Sequence, residues 1–205
     1  MQIEKDYIYH IYNQGNNSQK IFFEQENYLF FLKKMRSYIL PYADILAWCL
    51  MPNHFHLMVL VNETEVAVCS EAFAQSEGLA EQTAKQRTIN NSIGLMLRSY
   101  TNAINKQQKR SGALFRRKTK AECINCQNGI TPSFITENSI TEINMQNPEE
   151  QYPQVCFDYI YQNPVKAKLV KNITDWQFSS AKDYAGSRDG KLVNKSVANK
   201  YVRTF

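Results

Sequence analysis

The chain has 205 residues, 43% of them hydrophobic, which is enough for the core of one domain. No apolar run approaches the roughly 18 residues that a membrane span requires, and the first residues lack the basic-then-apolar order of a signal peptide. We therefore expect a cytoplasmic protein with no membrane partner. The five cysteines are irregularly spaced and are expected to be free thiols.

Hydrophobic periodicity predicts strands and helices in alternation along the first part of the chain. In chain order they are a strand over 3–13, a helix over 24–40, a hairpin of strands over 45–51 and 54–61, a helix over 86–109 and a strand over 113–124. Pro52-Asn53 supplies the turn signal of the hairpin. The second helix has apolar residues at the three- and four-residue spacing of one helical face.

Two polar segments interrupt this pattern, near 62–85 and near 125–151, and we expect both to be insertions in a single domain that spans 1–205. Pro153 then suits the start of a last helix, which Pro164 should end near residue 163. The order β-α-β-β-α-β followed by a helix predicts an α+β, ferredoxin-like fold with an antiparallel sheet. That fold hosts many functions, so its chemistry must come from particular side chains.

The net charge of +5 is unevenly distributed. One stretch holds eight basic residues and no acidic one: Arg98, Lys106, Lys109, Arg110, Arg116, Arg117, Lys118 and Lys120. Such a stretch is typical of a surface that faces a polyanion. A solvated helix face is an equally good explanation of the charge alone.

Two of the three histidines, His54 and His56, are separated by one residue in a predicted strand. Side chains two apart in a strand leave the same face, so both imidazoles could bind one divalent metal ion. The alternative is that these are two hydrogen-bonded histidines of the core or of the surface. A His-x-His motif considered alone favours this alternative, because short motifs match by chance.

Tyr159 and Asn163 are four residues apart in the predicted last helix and should share a face. Tyr161 should point nearly the opposite way, and Tyr100 has Ile104 four residues on, which cannot bind metal. Taken alone, the pair also fits an ordinary helix with a core tyrosine and a capping asparagine.

Together these segments resemble the HUH single-tyrosine endonucleases, and among them the REP-associated tyrosine transposases. The resemblance is carried by Met51-Pro52-Asn53-His54-Phe55-His56-Leu57, by Tyr159-Ile160-Tyr161-Gln162-Asn163-Pro164-Val165-Lys166 and by Ser111-Gly112-Ala113-Leu114-Phe115. Tyr9-His10-Ile11-Tyr12-Asn13 and Trp176-Gln177-Phe178-Ser179-Ser180 are similar too. The polar segments near 62–85 and 125–151 depart from the family pattern.

This resemblance implies a transposase that cleaves and rejoins single-stranded or hairpin DNA through a 5′-phosphotyrosine. Tyr159 on the added C-terminal helix would be the nucleophile, with a metal ion held by His54, His56 and Asn163. Imidazole ligands suit zinc, nickel or copper, whereas amide and phosphate oxygens suit magnesium or manganese; the family resemblance favours Mg²⁺ or Mn²⁺. Some members act as monomers and others as homodimers.

Two alternatives stay open. The same site would serve a replication or mobilisation nickase, or the chain could be a DNA-binding protein that has lost catalysis. His10 is more often structural than catalytic in such a position. Cys123 and Cys126 form a lone pair, too few for a structural zinc site.

Overall fold

A computed structural model describes residues 2–68, 85–126, 135–136, 139–140 and 148–205. The strands are β1 (Ile8–Gln14), β2 (Ala43–Met51), β3 (His54–Val61), β4 (Glu65–Val68), β5 (Lys85–Thr88), β6 (Lys120–Cys123), β7 (Ile135–Thr136) and β8 (Ser139–Ile140). The helices are α1 (Gln25–Tyr38), α2 (Ile89–Gln107), α3 (Pro148–Lys166), α4 (Ala181–Tyr184) and α5 (Lys195–Ala198).

Four strands form the central sheet in the order β2-β3-β1-β6, and all neighbours are antiparallel. With α1 after β1 and α2 before β6, this is the β-α-β-β-α-β arrangement of a ferredoxin-like fold. The predicted fold class is confirmed. Strands β4 and β5, which flank residues outside the described part, pair with each other as a separate ribbon.

One face of the sheet packs against α1 and α2. Odd-numbered β3 residues such as Phe55 and Leu57 point to this face and form one apolar cluster with Phe31 of α1 and Met96 of α2. The even-numbered positions of β3 therefore face away from these two helices. Thr88 caps the first turn of α2 by accepting a hydrogen bond from Asn91 N.

Helix α3 covers the opposite face. Its Phe157 and Ile160 are fully buried with Leu46 of β2 and Met58 of β3. The hydroxyl of Tyr161 hydrogen-bonds to Ser180 Oγ at 2.8 Å, which ties the helix to the segment beside β2. This segment is itself held to β2, because Ser180 N donates to the carbonyl of Trp48 at 2.9 Å.

Helix α3 extends beyond the predicted bounds at both ends, since it begins at Pro148 and runs through Pro164 to Lys166. A proline this near the end of a helix removes one N–H from a ladder that stops within the same turn, so the disruption is small. The first strand is shorter than predicted because Asp6 adopts a left-handed φ of 68°. The fourth strand is also shorter: only Lys120–Cys123 is a strand of the predicted 113–124.

The prediction that all cysteines are free is wrong for one pair. Cys123 and Cys126 form a disulfide, because the chain turns directly after β6 and brings their Cα atoms within 5.8 Å. Cys49 and Cys156 are free and buried, and Cys69 lies outside the described residues. In the described part of the chain, no helix is both long and apolar enough to cross a bilayer.

Candidate functional site

The histidines lie on the sheet face that α3 covers. His54 and His56 occupy even-numbered positions of β3, and the register with β1 places Gln14 opposite His54 and Tyr12 opposite His56. His10 lies two residues before Tyr12 and so points to the same face. All three histidines of the chain are therefore gathered under one helix.

Helix α3 brings Tyr159 and Asn163 to the histidines. The Tyr159 ring lies edge-on to His56, with centroids 5.4 Å apart, and edge-on to His10 at 6.0 Å. The side chain of Asn163 lies close enough to both the His54 ring and the Tyr159 phenol to influence their pKa values. Its Nδ2 also donates to the backbone carbonyl of Tyr159 at 2.8 Å. The four residues predicted for metal binding and catalysis thus lie together.

Both histidines of β3 use Nδ1 for a hydrogen bond within the protein. His54 Nδ1 donates to Asn53 Oδ1 at 2.7 Å, because an amide oxygen only accepts. His56 Nδ1 is 2.9 Å from His10 Nε2. His56 Nε2 is buried and has no hydrogen-bond partner among the described residues. A buried ring nitrogen without a protein partner is a candidate for binding a ligand from outside the chain.

These donors fit a divalent metal ion. The rings of His54 and His56 are 5.0 Å apart at an interplanar angle of 84°. No set of three or more His, Cys, Asp or Glu side chains could hold a metal in the part of the chain that is described. The side chain of Asn163, the third ligand expected from the sequence, is in contact with His54. Two imidazoles and one amide would leave positions open for substrate oxygens.

Burial shifts the pKa values of the site in a consistent way. It lowers the pKa of His10 to about 3 and that of His56 well below its usual value. Burial also lowers the pKa of His54, which the hydrogen bond with Asn163 partly opposes. The imidazoles are therefore neutral at pH 7, the form that binds metal.

The pKa of Tyr159 is raised, mainly by burial, while the hydrogen bond with Asn163 acts in the opposite direction. The negative charge of Glu122 raises it further. The phenol is thus protonated at neutral pH. A positive charge beside its oxygen would favour the phenolate, which is the nucleophilic form.

An open pocket of about 380 Å³ connects this site to the surface. Its walls are Tyr12, Asn13, Gln14, His54, His56, Arg116, Lys118, Lys120 and Tyr159. Lys166 is also near Tyr159, with Nζ 5.7 Å from the centre of the tyrosine ring. A tyrosine and two histidines surrounded by cationic side chains make a pocket suited to a phosphate group.

The eight basic residues of the predicted stretch divide between two places. Arg116, Lys118 and Lys120 border the pocket, and Arg117 is exposed next to them. Arg98 and Lys106 are exposed on α2, which packs on the other face of the sheet. Lys109 and Arg110 follow the end of that helix.

The other tyrosines considered from sequence are structural. Tyr100 is fully buried and donates its hydroxyl hydrogen to the carbonyl of Ile21 at 2.7 Å. Tyr161 is buried and bonded to Ser180. Sequence reasoning missed Tyr12, which lines the pocket, stacks on His10 at 4.8 Å and donates a hydrogen bond to Glu122 at 2.7 Å.

Comparison with known proteins gives one informative result. No protein-family model matches the sequence, and no curated protein matches it. The structure is similar to a solved structure described as the REP-associated tyrosine transposase bound to a REP hairpin. The TM-score is 0.51 and the identity is 17%, over 95% of this chain and 92% of the other. The chain therefore shares the fold of that transposase along almost its whole length.

Proposed function

We propose that this protein is a metal-dependent DNA endonuclease and transposase of the HUH single-tyrosine kind. The observation that carries the proposal is the position of Tyr159. Its phenol lies next to the side chain of Asn163, and its ring is 5.4 Å from that of His56, whose buried Nε2 has no partner in the described structure. The similarity in fold to a hairpin-bound tyrosine transposase supports the same assignment.

The proposed reaction is a transesterification. The Tyr159 oxygen bonds to a DNA phosphorus atom as the bond from phosphorus to the 3′-oxygen breaks, which leaves a 5′-phosphotyrosine and a free 3′-hydroxyl. The proton lost by the phenol balances the proton gained by the 3′-oxygen. Because one phosphodiester is exchanged for another, the step is reversible without ATP, and another 3′-hydroxyl could attack the adduct to join strands.

His54, His56 and Asn163 are the residues that would hold the metal ion. When bound there, Mg²⁺ or Mn²⁺ would draw charge from the scissile phosphate. The lower pKa of the strand histidines keeps them neutral and available as ligands. Substrate oxygens would complete the coordination, as these hard cations prefer.

Lys118 and Lys120 would bind phosphates next to the cleaved one, and Lys166 would lie beside Tyr159 from the helix side. The substrate proposed is single-stranded DNA with a hairpin. An unpaired strand can be drawn into the pocket so that the Tyr159 oxygen, the phosphorus and the leaving oxygen align.

The test is covalent capture of DNA. The protein is incubated with Mn²⁺ and a pool of single-stranded oligonucleotides that carry a hairpin, randomised flanks and a 3′-end label. We expect a labelled adduct that survives denaturation, requires metal, and maps by mass spectrometry to Tyr159. Tyr159→Phe should reduce the adduct to background. Tyr12→Phe removes a hydroxyl from the same pocket and should retain it.

Three results would contradict the proposal or change it. An adduct on Tyr12, or one that persists in Tyr159→Phe, would remove Tyr159 as nucleophile. Binding of the oligonucleotides without any adduct would favour a DNA-binding protein that has lost catalysis. Cleavage without subsequent strand joining would favour a replication or mobilisation nickase.

A further inference from the structure

A third histidine, His10, contacts one of the two histidines that are proposed as metal ligands. His10 and His56 are diagonal neighbours across the β1–β3 pair, since His10 pairs with Met58 and Tyr12 pairs with His56. Each histidine is only 4% exposed, and a 2.9 Å contact joins His10 Nε2 to His56 Nδ1. This contact points away from Nε2 of His56, the nitrogen that has no partner in the described structure.

A single hydrogen bond between two neutral imidazoles requires one donor and one acceptor. If His10 donates, His56 must carry its own hydrogen on Nε2, and that N–H has no acceptor. If His56 donates from Nδ1, its Nε2 instead presents a lone pair to the pocket. Only the second arrangement provides a nitrogen that could bind a metal ion.

His54 already shows the second arrangement. Its Nδ1 donates to Asn53 Oδ1, and the amide is oriented by Asn53 Nδ2, which donates to the carbonyl of Ser18 at 3.4 Å. Its Nε2 is therefore the nitrogen without a hydrogen. A His56 ring with the same tautomer would place two lone pairs on one face of the sheet.

We propose that His10 is a positioning residue that accepts the Nδ1 hydrogen of His56 and thereby directs the Nε2 lone pair of His56 toward the metal site. The inference rests on the proposed function. His10 is suited to this task because its ring is buried and is held by stacking on Tyr12 at 4.8 Å. It is not a third ligand, since its Nε2 is engaged with His56 rather than with the pocket.

The first measurement is the tautomer of His56 in metal-free protein. Long-range ¹H–¹⁵N correlation spectra of ¹⁵N-histidine-labelled protein will show few signals, because the chain has three histidines. We expect His56 to carry its hydrogen on Nδ1. A His56 ring protonated on Nε2 would overturn the inference, whatever the protein does with DNA.

The second measurement is the affinity of the protein for Mn²⁺ in the absence of DNA. Electron paramagnetic resonance of the free ion reports how much Mn²⁺ remains unbound. His10→Leu removes the acceptor, and we expect it to weaken Mn²⁺ binding about 10- to 100-fold, as for other partners of metal-bound histidines. His10→Gln keeps an acceptor and should recover most of the affinity. Met58→Leu, a change at the paired buried position, controls for packing and should leave Mn²⁺ binding unchanged.

Unchanged Mn²⁺ affinity in a folded His10→Leu variant would refute the inference. If that variant does not fold, the spectrum of the native protein and the affinity of His10→Gln still decide. The outcomes also separate the two proposals. Mn²⁺ binding that depends on His10, in a protein that forms no DNA adduct, would refute only the proposed function. A Tyr159 adduct with normal Mn²⁺ binding in His10→Leu would refute only the role of His10.

Discussion

The stability of the metal-free protein should fall when the pH is lowered from 8 to 5. All three histidines of the chain belong to the site, and burial lowers the pKa of each. In the unfolded chain they take up protons near pH 6.5, whereas in the folded protein they resist protonation. The stability they contribute is therefore complete above pH 6.5 and is lost progressively as the pH falls toward their folded pKa values.

The size of the effect follows from His10. Its folded pKa is about 3 against an ordinary value of 6.5, so at pH 5 the folded imidazole is still neutral while the unfolded one is charged. Because pH 5 lies about 1.5 units below the unfolded pKa, and each unit is worth about 1.4 kcal/mol, His10 alone should cost about 2 kcal/mol. His56 acts in the same direction.

Urea unfolding in the presence of a chelator, at pH 8 and at pH 5, measures the difference directly. His10→Gln cannot take up a proton, and we expect it to shrink the difference by about 2 kcal/mol, or about 4–8 °C in the melting temperature of a chain this long. A native protein equally stable at both pH values would refute the argument. So would a His10→Gln variant with the same pH dependence as the native protein.

Two further predictions concern the proposed metal ligands and the proposed path of the DNA. Replacing both His54 and His56 with alanine should abolish metal-dependent cleavage while circular dichroism stays native-like, and normal cleavage by this variant would refute the metal assignment. DNA affinity should fall with salt with a slope of about −0.7 per phosphate contacted on a single strand. Lys118→Gln should reduce that slope by one such step, whereas Arg98→Gln, on the opposite face of the sheet, should not. Equal effects of Lys118→Gln and Arg98→Gln would contradict a DNA path through the pocket.

The sequence was informative wherever a local pattern determines the structure. Alternation in β1, the two apolar runs of the β2–β3 hairpin and the apolar stripe of α2 predicted the order of elements, and this order left few ways to assemble the sheet. The two-residue spacing of His54 and His56 placed them on one face because side chains alternate along a strand. The four-residue spacing of Tyr159 and Asn163 did the same for α3.

What the sequence could not provide was the pairing between distant segments. Neither Tyr12 nor His10 carries a local signal for the site, and only the β1–β3 register places them beside His56. Side chains two apart in a strand share a face, so the predicted strand over 3–13 is consistent with His10 and Tyr12 lying on the same side. The division of the basic stretch, with Lys118 at the pocket and Arg98 behind the sheet, likewise depends on packing rather than on spacing.

Two tyrosines near the end of α3 have different roles. Tyr161 holds the helix against the segment beside β2, and Tyr159 is the proposed nucleophile. Successive helical residues are about 100° apart, so Tyr159 and Tyr161 point in directions about 160° apart. Tyr161 bonds to Ser180 on the side of β2, while Tyr159 and Asn163 face the histidines. Because these contacts lie on opposite sides of the helix, a rotation that moved Tyr159 away from His56 would also break the buried bond of Tyr161. The orientation of Tyr159, the proposed nucleophile, is therefore set by packing on the far side of the helix. If Tyr159 is the nucleophile, a variant at Tyr161 should reduce adduct formation without removing a DNA contact.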